Sequence, residues 1–292
     1  MPVSFTVRRE RFRAHLAGDA CLVPASVFDP LSARIAEEIG FELGMLGGSS
    51  ASLAVLGAPD LILLTLTELA EQCRRISRAS ALPLMVDADH GYGNALNVER
   101  TVTELEAAGV SAVTIEDTAL PRGFGQGEAP HLLALAEGVG KMQAALAGRT
   151  DPALVIVGRT SAARVTSLDD AIARARAYEA AGVDALFLLG IETAGQLEAV
   201  AAAVNLPLVV EGPIWNAMDR SELAARGAKI CLRGHQTVRA AVQAVCETML
   251  ALREGADPAS LPGLASAELM DRLTRRADFA RRIRDWLEPE RE

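Results

Sequence analysis

One pattern recurs along the chain: the end of a helix-like segment, then a glycine, then a short apolar run. It is visible in AEEIGFELGML, LEAAGVSAVTI, YEAAGVDALFL and LAARGAKICL, whose glycines are Gly40, Gly109, Gly182 and Gly227. Glycine readily adopts the positive φ that the residue after a helix often needs. The repeat therefore predicts helices and strands that alternate along the chain.

Eight apolar runs are candidates for strands, and segments with helical periodicity lie between them. Most of the runs are continuously apolar, which is typical of parallel strands covered on both faces. The predicted strands are 22–28, 41–48, 82–88, 110–117, 153–159, 183–190, 206–212 and 228–234. The predicted helices are 66–80, 96–108, 137–147, 168–181, 194–204, 219–226 and 236–253.

This order of elements predicts an α/β fold, a (β/α)8 TIM-type barrel. Repeated right-handed βα crossovers either close on themselves or form an open, doubly wound sheet. The open sheet is the second choice, because the dinucleotide fingerprint GxGxxG does not follow the first strand. The 292 residues also suffice for one barrel, which takes about 250 residues.

The last part of the chain, 258–292, contains no predicted strand. A helix-like stretch there places apolar residues near one face, amid many arginines. We expect a catalytic barrel domain at 1–257 and a C-terminal helical extension at 258–292 that packs on a partner subunit. The apolar residues of this face are Leu269, Leu273, Phe279, Ile283 and Leu287.

Composition and charge exclude several classes of function. The net charge of −9 repels nucleic acid and anionic membrane surfaces. No apolar run approaches the ~18–20 residues of a membrane span, and five charged residues between positions 8 and 13 interrupt any secretory signal, so a cytoplasmic protein is expected. The four cysteines show no CxxC spacing, which argues against disulfides or zinc.

Polar side chains stand where several predicted strands end. In a closed βα barrel, the carboxyl ends of the strands form the face that carries the active site. The third strand ends in Asp87 and Asp89, the fourth in Glu116 and Asp117, and the seventh in Glu211. We therefore expect a group of carboxylates at one mouth of the barrel.

Carboxylates gathered in one place raise one another's pKa unless a cation lies among them. This set offers oxygen ligands without a zinc-type Cys or His pair, which favours Mg2+ or Mn2+. The alternative for DADHGYGN at 87–94 is an Asx-rich turn that closes a strand. Glu116 at the neighbouring strand end favours the metal.

Three further strand ends have two interpretations each. Gly47-Gly48-Ser49 is either a tight turn or an anion site made of backbone N–H groups at a helix start. Arg159 is either a salt-bridge partner or a clamp for a bound carboxylate or enolate. His235 is either a core histidine or a participant in the chemistry. The sequence pattern leaves these alternatives open.

Two connections are long, 50–65 and 118–136, and the second is rich in glycine. Irregular loops of this length in compact domains tend to carry function. We expect the second to form a mobile lid over the mouth.

Several segments can be compared with known families. DADHGYGN at 87–94, followed by IED at 115–117, is the most specific. The others are SVFDPLSARIAEEIGFELGMLGGS at 26–49, PD at 59–60, AVTIEDT at 112–118, EGVGKM at 137–142 and IVGRTSA at 156–162. Over nearly its whole length, the chain resembles the isocitrate lyase/phosphoenolpyruvate mutase superfamily and, within it, the bacterial oxaloacetate decarboxylase family.

The resemblance implies a metal site and an assembly. Asp87 would bind Mg2+ directly, while Asp60, Asp89 and Glu116 would hold metal-bound water as an outer shell. The barrel would exchange its last helix with a neighbouring subunit in a homotetramer built as a dimer of dimers.

The resemblance also implies the groups that act on substrate. Ser49 and Arg159 would bind the 2-oxo-carboxylate end of a 2-oxo dicarboxylate, and His235 would contact the substrate, with Arg159 and His235 as catalytic residues. The implied reaction is the Mg2+-dependent decarboxylation of oxaloacetate to pyruvate and CO2 through a metal-stabilised enolate.

The loop 118–136 departs from two branches of this superfamily. Lyases that split isocitrate or methylisocitrate carry a Lys-Lys-Cys-Gly lid whose cysteine transfers a proton, and phosphonate mutases carry an asparagine there. The loop contains neither residue. Two alternatives to decarboxylation are a C–C bond lyase acting on a 2-hydroxy or malate-type dicarboxylic acid and a non-catalytic barrel that binds 2-oxo acids.

Overall fold

The computed structural model describes residues 3–127 and 129–288. Eight parallel strands form one sheet whose order follows the chain. The strands are β1 Ala25–Ser26, β2 Gly44–Leu46, β3 Leu84–Asp87, β4 Ala112–Glu116, β5 Val155–Thr160, β6 Ala185–Leu188, β7 Leu208–Glu211 and β8 Ala228–Leu232.

Helices alternate with the strands along the chain, as the repeat predicts. They are α1 Phe5–Ala17, α2 Pro30–Ile39, α3 Gly48–Leu56, α4 Leu66–Ala79, α5 Ala95–Ala107, α6 Leu135–Ala147, α7 Ala162–Val165, α8 Leu168–Ala181, α9 Ala194–Ala201, α10 Ile214–Ala217, α11 Arg220–Ala225, α12 Gln236–Arg253, α13 Ala267–Leu273 and α14 Arg276–Leu287, with a 3-10 turn at Pro258–Ser260.

The first and last strands of the sheet are joined through Leu22. Its N–H donates to Lys229 O at 2.8 Å, and its carbonyl accepts the N–H of Cys231 at 2.9 Å, which makes a parallel bridge beside Ile230. The bridge closes the sheet into a cylinder. The predicted (β/α)8 TIM-type barrel is confirmed, and the open doubly wound sheet is excluded.

The repeated glycines have the predicted role. Gly40, Gly109, Gly182 and Gly227 all have φ between 84° and 101°, in the left-handed region. Each follows a helix and turns the chain into the next strand. A residue with a Cβ would be strained in this conformation.

Two layers of apolar side chains make up the core. One layer fills the barrel, where Met85, Val157 and Phe187 from three strands pack together with Phe12 and Leu16 of α1. The other layer lies between the outer faces of the strands and the surrounding helices. The barrel is therefore filled, and its mouth is the place where side chains can meet a ligand.

One predicted loop is wrong in part. Helix α3 covers residues 48–56. It takes in the last residue of the predicted strand 41–48 and the first part of the predicted connection 50–65. Its first turns carry small side chains, and Ser50, Ala51 and Ser52 are buried. Small residues give no apolar periodicity, so the helix is invisible to a search based on hydrophobic pattern.

The chain divides into two compact units, Met1–His235 and Gln236–Glu292. The first contains all eight strands, and the second contains α12, α13 and α14. The sequence-based division into 1–257 and 258–292 stays a prediction. Among the described residues, we find no helix with the length and apolar character needed to span a bilayer.

Candidate active site

Asp87 is the last residue of β3, and its carboxylate is held on several sides. Asp87 Oδ2 forms an ion pair with Arg159 Nη1. Asp87 Oδ1 accepts the hydroxyl of Thr114 at 2.9 Å and the N–H of Asp89 at 3.2 Å. The register of the sheet explains the contact with Thr114, because Asp87 and Thr114 are paired residues of β3 and β4.

Glu116 and Arg159 are likewise paired, at the ends of β4 and β5. Arg159 Nε lies 3.2 Å from Glu116 Oε2, but it is buried and makes no directed hydrogen bond within the described part of the chain. The guanidinium stands 5.3 Å from the ring centroid of Phe187. Burial opposes the charge of Arg159, but Asp87 and Glu116 outweigh it and raise its pKa. Arg159 is thus a permanent cation at the mouth, and its Nε–H has no hydrogen-bond acceptor among the described residues.

The carboxylates at this mouth outnumber the cations. Burial, followed by the charges of Asp87, Asp60 and Glu116, raises the pKa of Asp89 well above its ordinary value. Burial also raises the pKa of Glu116, with Arg159 opposing and Asp87 adding to the effect. Such shifts mean that burial and the neighbouring negative charges together disfavour the ionised carboxylates.

Asp60 belongs to the same group. It lies in the segment between α3 and α4, and burial followed by the charge of Asp87 raises its pKa. The predicted group Asp60, Asp87, Asp89 and Glu116 is therefore brought together around the mouth.

The donor set fits a hard divalent cation. All four groups offer carboxylate oxygens, and a dication would relieve their mutual repulsion. Within residues 3–127 and 129–288, no three His, Cys, Asp or Glu side chains stand close enough to form a ready-made cage. A cation with one direct protein ligand and several retained waters satisfies both observations, and this is how Mg2+ is commonly held.

The turn after β3 is fixed from behind by two buried groups. Lys141 Nζ donates to the carbonyl of His90 at 2.7 Å, and Thr101 Oγ1 donates to the carbonyl of Gly91 at 3.0 Å. Asp89 and Tyr92 have φ values of 48° and 61°. The anchors hold a turn that such backbone angles would otherwise disfavour.

The glycine turn after β2 is the start of α3, so the tight-turn interpretation gives way to a helix N-terminus. Gly47 caps this helix without a side-chain hydrogen bond. A Cβ on Gly48 would lie 2.8 Å from Asp89 Oδ1, so glycine lets the turn approach the carboxylates. Ser49, in the first helical turn, is half-buried at the same place.

His235 follows β8 and lies over Gly47, where any Cβ would overlap its Nε2. Its Nδ1 is 2.8 Å from Ser26 Oγ, at the end of β1. Burial lowers the pKa of His235, while the charges of Asp87, Glu211 and Asp60 oppose this shift. Ser26 was not predicted as a site residue.

Two polar residues at strand ends face away from this group. Asp117 Oδ2 accepts Arg174 Nη1 at 2.8 Å and the hydroxyl of Tyr178 at 2.6 Å, both from α8 on the outside of the barrel. Arg233 packs its guanidinium over the ring of Trp215. Asp117 therefore does not join the expected carboxylate group.

The loop between β4 and α6 is joined at its base. Leu133 N–H donates to Asp117 O at 2.8 Å, and Thr118 and Leu132 form an antiparallel bridge. Arg174 Nη1 also donates to Leu133 O at 3.1 Å. The two ends of the loop are held together, while Phe124 at its tip is fully exposed.

Comparisons with known proteins show the family to which the chain is related. Residues 12–253 match the phosphoenolpyruvate phosphomutase family. A protein of Bradyrhizobium sp. strain BTAi1 named oxaloacetate decarboxylase is 60% identical over 98% of this chain and 99% of its own length.

Solved structures show the same fold. Oxaloacetate acetylhydrolase with 3,3-difluorooxalacetate superposes with a TM-score of 0.84 at 26% identity, over 97% of each chain. Phosphonopyruvate hydrolase with oxalate and Mg2+ superposes with a TM-score of 0.84 at 28% identity, over 96% of this chain and 99% of that one. The chain belongs to the phosphoenolpyruvate phosphomutase family, within the phosphoenolpyruvate mutase/isocitrate lyase superfamily.

Proposed function

We propose that this protein is a carboxy-lyase that decarboxylates oxaloacetate to pyruvate and CO2 with the help of Mg2+. The observation that carries the proposal is the group of buried carboxylates beside the cation Arg159 at the barrel mouth. The name of the Bradyrhizobium relative supports the choice of substrate.

The metal would be bound directly by Asp87, with Asp60, Asp89 and Glu116 holding its water ligands. Mn2+ would bind the same residues, since both ions prefer oxygen ligands. When bound, the ion supplies positive charge that draws electron density from the C2 carbonyl of the substrate.

The protein's own groups bind the rest of the substrate. The start of α3 around Ser49 lies beside Asp89 at the mouth, and a helix N-terminus favours a carboxylate. Arg159, with its unsatisfied Nε–H, adds positive charge where the enolate oxygen develops. We assign His235 to the C3 and C4 end of the substrate.

Decarboxylation also fits the composition of the loop 118–136. Loss of CO2 from a β-keto acid leaves its electron pair in the enolate, so no base is needed to begin the reaction. The loop 118–136 supplies no cysteine for the proton transfer that the isocitrate-type lyases require. The described residues of this loop contain no substitute His or Lys other than His131.

We expect metal-dependent release of pyruvate from oxaloacetate and no product from 2-methylisocitrate. A lactate dehydrogenase coupled assay measures pyruvate, with heat-killed protein subtracted because free divalent ions catalyse the same reaction. Chelator should abolish the rate, and added Mg2+ should restore it. Turnover of 2-methylisocitrate would favour the C–C lyase, and thermal stabilisation by 2-oxo acids without turnover would favour the non-catalytic barrel.

We further propose a homotetramer in the cytoplasm, a dimer of dimers whose subunits exchange the C-terminal helical unit. Large apolar side chains are exposed on α12 and α14 of that unit, which is typical of an interaction surface. They are Val242, Val245, Met249, Leu250, Leu252, Phe279, Ile283, Trp286 and Leu287. Sedimentation velocity should return about four times the 30.8 kDa chain mass, and a mass of one chain would contradict the proposal.

A further inference from the structure

Ser26 meets His235 across the seam where the barrel closes. Ser26 is the last residue of β1, and His235 follows β8, the strand that the Leu22 bridge makes its neighbour. Ser26 Oγ lies 2.8 Å from Nδ1 of the ring. Both side chains are half-buried, so the hydroxyl is a fixed partner of this nitrogen.

The opposite edge of the ring faces the glycine turn. A Cβ on Gly47 would overlap Nε2 and Cε1 of His235. The ring is therefore held between Ser26 on its Nδ1 side and Gly47 on its Nε2 side. Nε2 lies against Gly47, the residue before the start of α3, at the mouth of the barrel.

The surroundings favour a proton on Nε2. A neutral imidazole carries one N–H, and its other nitrogen accepts. Ser26 Oγ lies 2.8 Å from Nδ1 and can donate its hydroxyl to that nitrogen. Nδ1 is then the acceptor, which leaves the proton of the neutral ring on Nε2.

We propose that Ser26 is a positioning residue that donates its hydroxyl to Nδ1 and so fixes His235 as the tautomer with the proton on Nε2. Nε2–H then donates a hydrogen bond to the C4 carboxylate of the bound β-keto acid. The identity of this substrate rests on the proposed function.

This hydrogen bond orients the bond that breaks. The C3–C4 bond must align with the π system of the C2 carbonyl for its electron pair to flow toward the C2 oxygen. A held carboxylate spends more of its time in that alignment. CO2 leaves as C3–C4 breaks, and C3 then takes a proton from water to give pyruvate.

The first test is a double-mutant cycle of Ser26→Ala and His235→Ala. We expect Ser26→Ala to lower kcat for oxaloacetate about 10- to 100-fold, the range found when the partner that orients a metal-binding histidine is removed. In the His235→Ala background the same change should alter kcat less than about twofold, because Ser26 acts through the ring. Equal losses in both backgrounds would show a merely structural role and overturn the proposal.

Ser26→Thr is the matched control, because threonine retains the hydroxyl and suits a strand. We expect it to recover most of the kcat that Ser26→Ala loses. A threonine variant as slow as the alanine variant, with both folded by circular dichroism, would contradict the role of the hydroxyl.

A second readout does not depend on turnover. The chain has four histidines, so 15N-histidine labelling gives a small set of ring signals, and His235→Ala identifies the one of interest. In the wild type, we expect a protonated Nε2 and an unprotonated Nδ1, and in Ser26→Ala a mixture of tautomers. A wild-type signal with the proton on Nδ1 would overturn the inference.

The two readouts separate this inference from the proposed function. If the wild type releases no CO2 from oxaloacetate, the proposed function fails, and the nitrogen signals still decide whether Ser26 fixes the ring. If the wild type is active and neither kcat nor the signals respond to Ser26→Ala, the inference alone fails.

Discussion

Replacing Asp87 with alanine should abolish metal-dependent release of CO2 from oxaloacetate, with kcat at least about 1000-fold lower. A metal acting as a Lewis acid contributes several kcal/mol to such a reaction, and each ~1.4 kcal/mol is worth tenfold in rate. Asp87 is the proposed direct ligand, and its carboxylate also pairs with Arg159. Pyruvate formation over a range of Mg2+ concentrations measures the effect.

Two variants make this result interpretable. Asp87→Asn keeps the shape of the side chain and removes its charge, so it should fail nearly as severely as alanine if charge is what binds the metal. Asp169→Asn removes the same charge at an exposed position on α8, outside the proposed site, and should behave as the wild type. An Asp87→Ala enzyme with the wild-type Mg2+ dependence would eliminate Asp87 as the ligand.

The strand ends explain why much of this site follows from the sequence. In a parallel barrel, a polar residue that ends an apolar run must lie at the mouth, and this holds for Asp87, Glu116 and Arg159. The alternation of side chains along β4 further predicts which of its last polar residues point into the barrel. Thr114 and Glu116 share the lumen side, while Asp117 lies one residue on and points to α8.

Two features could not be predicted from the sequence, because their signals are local and weak. Helix α3 begins in Gly-Ser-Ser-Ala-Ser, where buried small side chains replace the apolar stripe that marks most helices. Ser26 lies inside the predicted strand 22–28, yet β1 ends at this residue. Had the strand end been placed there, the rule that found Asp87 would have found Ser26 as well. The contact with His235 depends on barrel closure, which a sequence pattern does not reveal.

Replacing Arg159 tests whether its shape matters as well as its charge. Arg159→Lys keeps one positive charge but cannot reach Asp87 and Glu116 with two separate nitrogens, as the guanidinium does. We expect kcat about 100-fold lower, in the range found when one donor to a developing oxyanion is removed. Binding of Mn2+, followed by electron paramagnetic resonance, should be affected much less, because the proposed metal ligand is intact.

Arg159→Met should have a larger effect on stability, because it leaves the buried Asp87 and Glu116 without their cation. Breaking such a pair costs about 3–5 kcal/mol, so the variant should unfold at markedly lower urea concentration than the lysine variant. Added Mg2+ should recover part of that loss, since the dication compensates the same carboxylates. If lysine and methionine variants were equally active and equally stable, the positive charge of Arg159 would have no part in either the fold or the reaction.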